Sequence, residues 1–220
     1  MRILISTGGS CCVTEAFRRE LYKWKPDLVI AADSGLRHLA SLGLKPDILL
    51  GDMDSIAPEL LEQARHSGVE PQICPSHKDE TDTELALSIA LEKGGSQPEL
   101  RLIGAFGSRM DHSLANLHLL NRVRSQAEFW DGLSRIQILQ GPAAVTVERP
   151  SWFAPEKPAY VSLLPYGGPV GDITLSGFEY PLLHYEMDEN AVIGISNQLT
   201  GVRGTVEFAS GRLLCATVQE

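Results

Sequence analysis

Along the first half of the chain, short continuous apolar runs alternate with stretches whose apolar residues recur every three or four positions. RILIS (2–6), LVIAA (28–32), ILLG (48–51), VEPQIC (69–74) and LRLIG (100–104) read as strands. Between them fall helical patterns near 15–23, 36–42, 58–67 and 81–93, with a further one over 110–124. Such alternation predicts βαβ units and an open, mostly parallel α/β sheet. The best-marked helix start is Thr81-Asp82-Thr83-Glu84, which has the Thr-x-x-Glu spacing of a capping box, and Gly94-Gly95 ends that run. Leu114, Leu117 and Leu120 read as a core-facing stripe with His118 packed among them. From about Ala127 the pattern changes to short alternating segments separated by Gly, Pro and Asn: IQILQ, AAVTVE, YVSLLP, DITLSG, AVIGIS and GTVEFASGRLLCATV. These predict an antiparallel β-sandwich. The expected organisation is therefore an α/β domain over 1–128 followed by a β-sandwich domain over 129–220.

Composition narrows the class without naming a function. The 220 residues are 43% hydrophobic and 21% charged, with mean hydropathy −0.05, as in a globular protein. No apolar run approaches the roughly 20 residues that span a bilayer, so no membrane partner is expected. The apolar part of MRILISTGG is too short for a signal-peptide core, which makes cytoplasm the expected compartment. A net charge of −9 supplies no cationic field for a polyanion, so nucleic acid is not an expected partner. Cys11, Cys12, Cys74 and Cys215 form no CxxC pair and read as reduced thiols. The vicinal Cys11 and Cys12 are open to a redox reading or to an incidental one.

The chemistry concentrates in aspartates. Six of the eleven, Asp33, Asp52, Asp54, Asp79, Asp82 and Asp111, fall in four short segments of the first half. Each follows a predicted strand or opens a helix, and in a parallel sheet those positions share one edge, where ligands bind. Clustered carboxylates repel one another unless cations neutralise them, and Mg²⁺ suits hard oxygen donors that also face phosphate. Taken alone, AADSG reads equally as a strand end with Ser34 capping the next helix. In GDMDS an extended backbone would point Asp52 and Asp54 to the same side, toward one metal; the other reading is a loop capping the helix near Pro58. A helix N-terminus accounts for Asp82 and Glu84 in HKDETD but not for Lys78, which suits phosphate. GAFGSRMDH sets Gly104 and Gly107 around a loop entering a helix, with Arg109 at its entrance, the makings of an anion cradle. His112 stands beside Asp111, whereas His38, His66 and His184 carry no local pattern. There is no Walker A sequence and no GxGxxG after the first strand.

AADSG, GDMDS, KDETDTE and GSRMDH, in that order and followed by a β-rich tail containing ISN (195–197), resemble the thiamine pyrophosphokinase family. The resemblance implies a homodimer with shared active sites and transfer of a pyrophosphoryl group from ATP to thiamine, giving thiamine diphosphate and AMP. It implies that Asp52, Asp54 and Asp82 serve Mg²⁺ and phosphate. Asp33, Lys78, Arg109 and Asp111 would line the nucleotide and reacting-hydroxyl site, with Ser55, Thr81, Gly107 and His112 beside them, and Asp33 and Asp111 would both be candidates to orient the hydroxyl. Ser196 and Asn197 would belong to the thiamine pocket. One departure stands out: many eukaryotic members carry Trp in a segment resembling LLW, where this chain has Leu213-Leu214-Cys215. Two other readings of the same residues are a haloacid-dehalogenase-like phosphohydrolase, which also uses DxD but after its first strand, and a ligand sensor without catalysis.

Overall fold

A computed structural model describes residues 1–73, 79–123 and 126–220; Lys78 and Cys74 lie outside the described residues. The chain divides into two compact units, Met1–Gly132 and Leu133–Glu220. The expected boundary at 128/129 falls inside a strand that pairs with the first unit, so the division comes a few residues later.

In the first unit, β1 (Arg2–Ser6), β2 (Leu28–Ala32), β3 (Ile48–Gly51), β4 (Gln72–Ile73), β5 (Glu99–Ile103) and β6 (Ala127–Trp130) lie in the order β4-β3-β2-β1-β5-β6. All are parallel: Ile5 pairs with Ile30 on one side and Leu102 on the other, and Leu102 in turn with Phe129. β6 is a correction, since the change of pattern near Ala127 suggested that the antiparallel region had already begun. The helices are α1 (Glu15–Trp24), α2 (Leu36–Leu42), α3 (Pro58–His66), α4 (Asp82–Gly94) and α5 (Met110–Leu119). Every residue of β2 is buried, which explains its unbroken apolar run. Thr14 and Thr81 cap α1 and α4, their hydroxyls accepting from Phe17 N and Glu84 N at 3.1 Å each. Only half of the expected capping box reads as drawn, because the Glu84 carboxylate pairs with Arg122 at 2.7 Å. The expected leucine stripe holds in part: Leu120 is buried and Leu117 half-buried, but Leu114 is 61% exposed and His118 is exposed, while Asn116 points inward and donates to the Ala105 carbonyl at 2.6 Å.

The second unit holds one sheet in the order β7-β13-β9 and another in the order β11-β10-β12-β8. Its strands are β7 (Ser134–Gln140), β8 (Ala143–Glu148), β9 (Ala159–Pro165), β10 (Val170–Ser176), β11 (Tyr185–Met187), β12 (Arg203–Phe208) and β13 (Arg212–Gln219), all paired antiparallel. Inward residues of both sheets, among them Leu139, Val161, Leu213, Ile173, Val206 and Phe208, form one core. Cys215 belongs to it at 1% exposure, so the side chain at this position faces the interior. AVIGIS is not a strand. It forms a turn in which Ser196 adopts φ +59° and Gly194 lies so close to the Leu163 carbonyl that no Cβ would fit. Alternating apolar residues imitated a strand, but Val192 and Ile193 are exposed.

Candidate active site

The carboxyl ends of the parallel strands supply one cavity of about 380 Å³, walled by the segments after β1, β2, β3 and β5 and by the start of α4. Asp33 follows β2 directly and adopts φ +50°, a left-handed conformation that costs a non-glycine residue free energy. Across from it Gly51, at φ +139°, ends β3; a Cβ there would stand 3.0 Å from Asp33 Cβ. Glycine at 51 therefore permits the two strand ends to close on each other.

Asp33, Asp52 and Asp54 place a carboxylate oxygen each within 4.8 Å of one another. The pairing of Asp52 with Asp54 does not come from the extended backbone that the sequence suggested. Met53 sits at φ +68° and the Asp54 N–H donates to Asp52 Oδ1 at 3.2 Å, so a turn brings the two side chains together. Asp33 Oδ2 accepts a hydrogen bond from the Ser55 hydroxyl, while Asp33 Oδ1 is buried with no hydrogen-bond partner among the described residues. The hydrogen bond and charge of Asp52 push the Asp54 carboxyl above its ordinary range, with Asp33 and Asp82 adding smaller charges of the same sign. Mutual repulsion and a buried, unbonded oxygen are what a hard divalent cation would relieve, and three carboxylates are oxygen donors of the kind Mg²⁺ takes. The residues present fit such an ion.

The remaining candidates distribute as follows. Asp82 lies on the cavity wall at the start of α4 beside Thr81, whose hydroxyl is engaged as the helix cap. The structure thus groups Asp33 with the GDMDS pair, and Asp82 acts on that group through its charge. Ser55, Gly107, Arg109 and His112 line the same cavity. The Gly107 N–H donates to Ser113 Oγ at 3.2 Å, and Arg109 forms a fork onto Asp111 through 2.9 and 2.6 Å contacts. That fork holds the Asp111 carboxyl far below the usual range, so it stays ionised. Lys78 lies outside the described residues. Sequence reasoning missed Thr7, Gly8 and Gly9, which also line the cavity; the available signal was the Thr-Gly-Gly-Ser turn directly after the first strand.

Ser196 and Asn197 belong to the second unit. Ser196 is exposed, with its backbone N–H donating to Ser162 Oγ at 3.1 Å. Asn197 is 5% exposed, and its side chain bridges backbone groups: Oδ1 accepts from Tyr180 N at 3.0 Å and Gln198 N at 2.9 Å, and Nδ2 donates to Tyr180 O at 2.8 Å. Its amide therefore anchors the turn that displays Ser196.

Asp33, Asp82 and Arg109 on one cavity at a parallel-sheet edge, with Asp52 and Asp54 gathered against Asp33, suit the transfer of phosphoryl groups. Comparison with known proteins agrees. A family described as the thiamin pyrophosphokinase catalytic domain matches residues 19–129, and the thiamin pyrophosphokinase vitamin B1 binding domain matches 153–213. The chain belongs to the thiamin pyrophosphokinase family. The thiamine pyrophosphokinase of Bacillus subtilis is 32% identical over 191 residues, 85% of each chain. Its counterpart 1 from Arabidopsis thaliana is 30% identical over 182 residues, 80% of this chain and 67% of its own. The crystal structure of thiamine pyrophosphokinase from Bacillus subtilis superposes at a TM-score of 0.83 with 27% identity, covering 100% of both chains. That of the Geobacillus thermodenitrificans protein gives 0.79 with 28% identity, over 100% of this chain and 98% of the other. The dehalogenase-like reading is set aside by this family match, and with it the sensor without catalysis, since the family is one of enzymes. The position of Asp52 after the third strand also fits poorly with a nucleophile that ends a first strand.

Proposed function

We propose that this enzyme transfers the diphosphoryl group of ATP to the hydroxyl of thiamine, releasing AMP and thiamine diphosphate. The observation that carries the reading is the joining of Asp52 and Asp54 to Asp33, whose buried Oδ1 has no hydrogen-bond partner among the described residues and which lines the same cavity as Arg109. Mg²⁺ held by these three aspartates, with Asp82 nearby, would offset the charge of the triphosphate. Arg109 exchanges its fork on Asp111 for phosphate oxygens, which frees Asp111 on the same rim. Little covalent chemistry falls to the protein in such a transfer, so holding the hydroxyl in line and stabilising charge supply most of the rate. The thiamine hydroxyl oxygen bonds to the β-phosphorus, the bond from that phosphorus to the α,β-bridging oxygen breaks, and AMP departs with that oxygen. A rim carboxylate orients the hydroxyl and takes its proton.

The second unit supports the thiamine side of the reading through its family match. There we assign contact with thiamine to Ser196 and the anchoring of its turn to Asn197. We further place the enzyme in the cytoplasm as a homodimer with shared sites. Mixing Asp54→Asn chains with Ser196→Trp chains, whose added bulk blocks the thiamine contact outright, then restores part of the activity by forming hybrids with one intact site; no recovery despite demonstrated subunit exchange means that each site is built within one chain. The reaction itself is tested with γ-labelled ATP, Mg²⁺ and thiamine. The label should appear in thiamine diphosphate with one AMP formed per product, and label released chiefly as inorganic phosphate would replace transfer by hydrolysis.

A further inference from the structure

Close to the cavity lies a buried histidine that the chemistry above does not use. His38, on α2, is 7% exposed and is not among the residues that line the cavity. Its Nε2 stands 2.8 Å from the carbonyl oxygen of Gly9. A carbonyl only accepts, so this nitrogen carries the proton and donates. The neighbouring Arg37 donates Nη2 to the carbonyls of Gly8 and Gly9 at 2.5 and 2.7 Å.

Gly8 and Gly9 are part of the cavity wall, as are Gly104 and Gly107 from the loop after β5. The two loops continue the pairing of β1 with β5 beyond the strands. Gly9 N–H donates to Gly104 O at 2.6 Å, Ser10 N–H to Phe106 O at 2.5 Å, and Thr7 Oγ1 to Gly104 O at 2.5 Å. A Cβ on Gly9 would collide with the Phe106 and Gly104 carbonyls, so backbone meets backbone there. On Gly104, at φ +67°, a Cβ would stand 2.9 Å from His38 Cδ2 and 3.0 Å from its Nε2. The one imidazole thus bonds the first glycine loop and packs against the second.

The electrostatic consequence follows from where the carbonyls go. A carbonyl oxygen turned into a site for a polyphosphate repels it, whereas one held on a donor elsewhere removes that repulsion from the wall. Arg37 and His38 supply those donors from α2. We infer that His38, assisted by Arg37, is a positioning residue for the polyphosphate wall: it fixes the Gly8–Gly9 loop against the Gly104 loop so that a nucleoside triphosphate meets a preformed surface. The inference rests on the reading that this cavity takes ATP.

The test compares His38→Leu, which removes the donor, with His38→Gln, whose Nε2 can restore it, and adds Arg37→Leu at an exposed position. ATP affinity is measured by calorimetry and KM for each substrate by turnover. His38→Leu should weaken ATP binding and raise its KM about tenfold, as expected for loss of one buried hydrogen bond and the order it imposes. KM for thiamine should stay within about twofold, and His38→Gln should recover most of the loss. Arg37→Leu should show a smaller effect of the same kind, which keeps the test decisive even where the His38→Leu protein fails to fold. Unchanged ATP affinity in folded His38→Leu or in Arg37→Leu, equal rises in both KM values, or no recovery with Gln would overturn the inference. A wild-type protein that binds ATP but makes no thiamine diphosphate would instead defeat the proposed reaction, and the calorimetric comparison would still decide the role of His38.

Discussion

The two units treat their motif residues in opposite ways. In the first, Asp33 holds a left-handed backbone and a buried oxygen without a bond among the described residues, and Asp54 is set against like charges. In the second, Asn197 makes three hydrogen bonds to backbone groups and is thereby satisfied. Polar groups left in mutual repulsion mark a place where something else binds, because the fold alone gives them no return. A polar group fully bonded to its own chain marks a structural joint. On the proposed function, the motif residues therefore divide into those that meet ligands and those that hold such residues in place.

The sharpest way to break this contrast is to neutralise one aspartate. Asp54→Asn should lower turnover by at least about 100-fold, as removal of a preorganised electrostatic group does, while circular dichroism shows an unchanged fold; near-normal turnover at saturating Mg²⁺ would remove Asp54 from the chemistry. In the other unit the balance should reverse. Asn197→Ala should lower unfolding free energy by about 1–3 kcal/mol in urea titrations, because it removes three part-buried hydrogen bonds to the backbone; an unchanged midpoint would show that its amide anchors nothing. Its neighbour separates the two roles. Ser196→Ala, at an exposed position, should change stability by less than about 0.5 kcal/mol yet raise KM for thiamine about fivefold with KM for ATP unaffected. A parallel rise in both constants would deny Ser196 a contact with one substrate only.

The smallest effect concerns the vicinal thiols. Burial, together with the charges of Asp131 and Cys12, pushes the Cys11 thiol up to about 12, against a weaker opposing pull from the Gly104 backbone. Almost no thiolate exists there at pH 8, so peptide mapping after brief iodoacetamide treatment should find Cys11 unmodified; rapid alkylation at Cys11 would contradict the burial argument.

Much of the first unit was legible because its signals are local. A strand buried on both faces writes itself as LVIAA, and aspartates at successive strand ends converge whatever the loops between them do. What escaped depends on backbone detail or distant partners. The positive φ of Met53 decides that a turn, not strand alternation, joins Asp52 to Asp54. AVIGIS alternates like a strand, yet the close approach of Gly194 to Leu163 makes it a turn. The leucines of α5 have helical spacing, but Asn116 takes the inward position through a carbonyl eleven residues away in sequence. His38 had no neighbours in sequence to betray it, since its partners Gly9 and Gly104 lie on two other loops.

The central claim is that the aspartate cluster is held together against its own charge until a cation joins it, and thermal melting tests this directly. The folded state raises the Asp54 carboxyl above its ordinary value of 3.8, so the penalty is absent at acid pH and grows as pH rises and the group ionises. Melting curves of wild type and Asp54→Asn, recorded at pH 7 and pH 4 with and without Mg²⁺, should show three things. At pH 7 without metal the Asn variant should melt at or above wild type, the gap should close toward pH 4, and Mg²⁺ should raise the wild type more than the variant. An Asn variant that melts below wild type at pH 7 without metal, or an equal Mg²⁺ response in both, would contradict the claim.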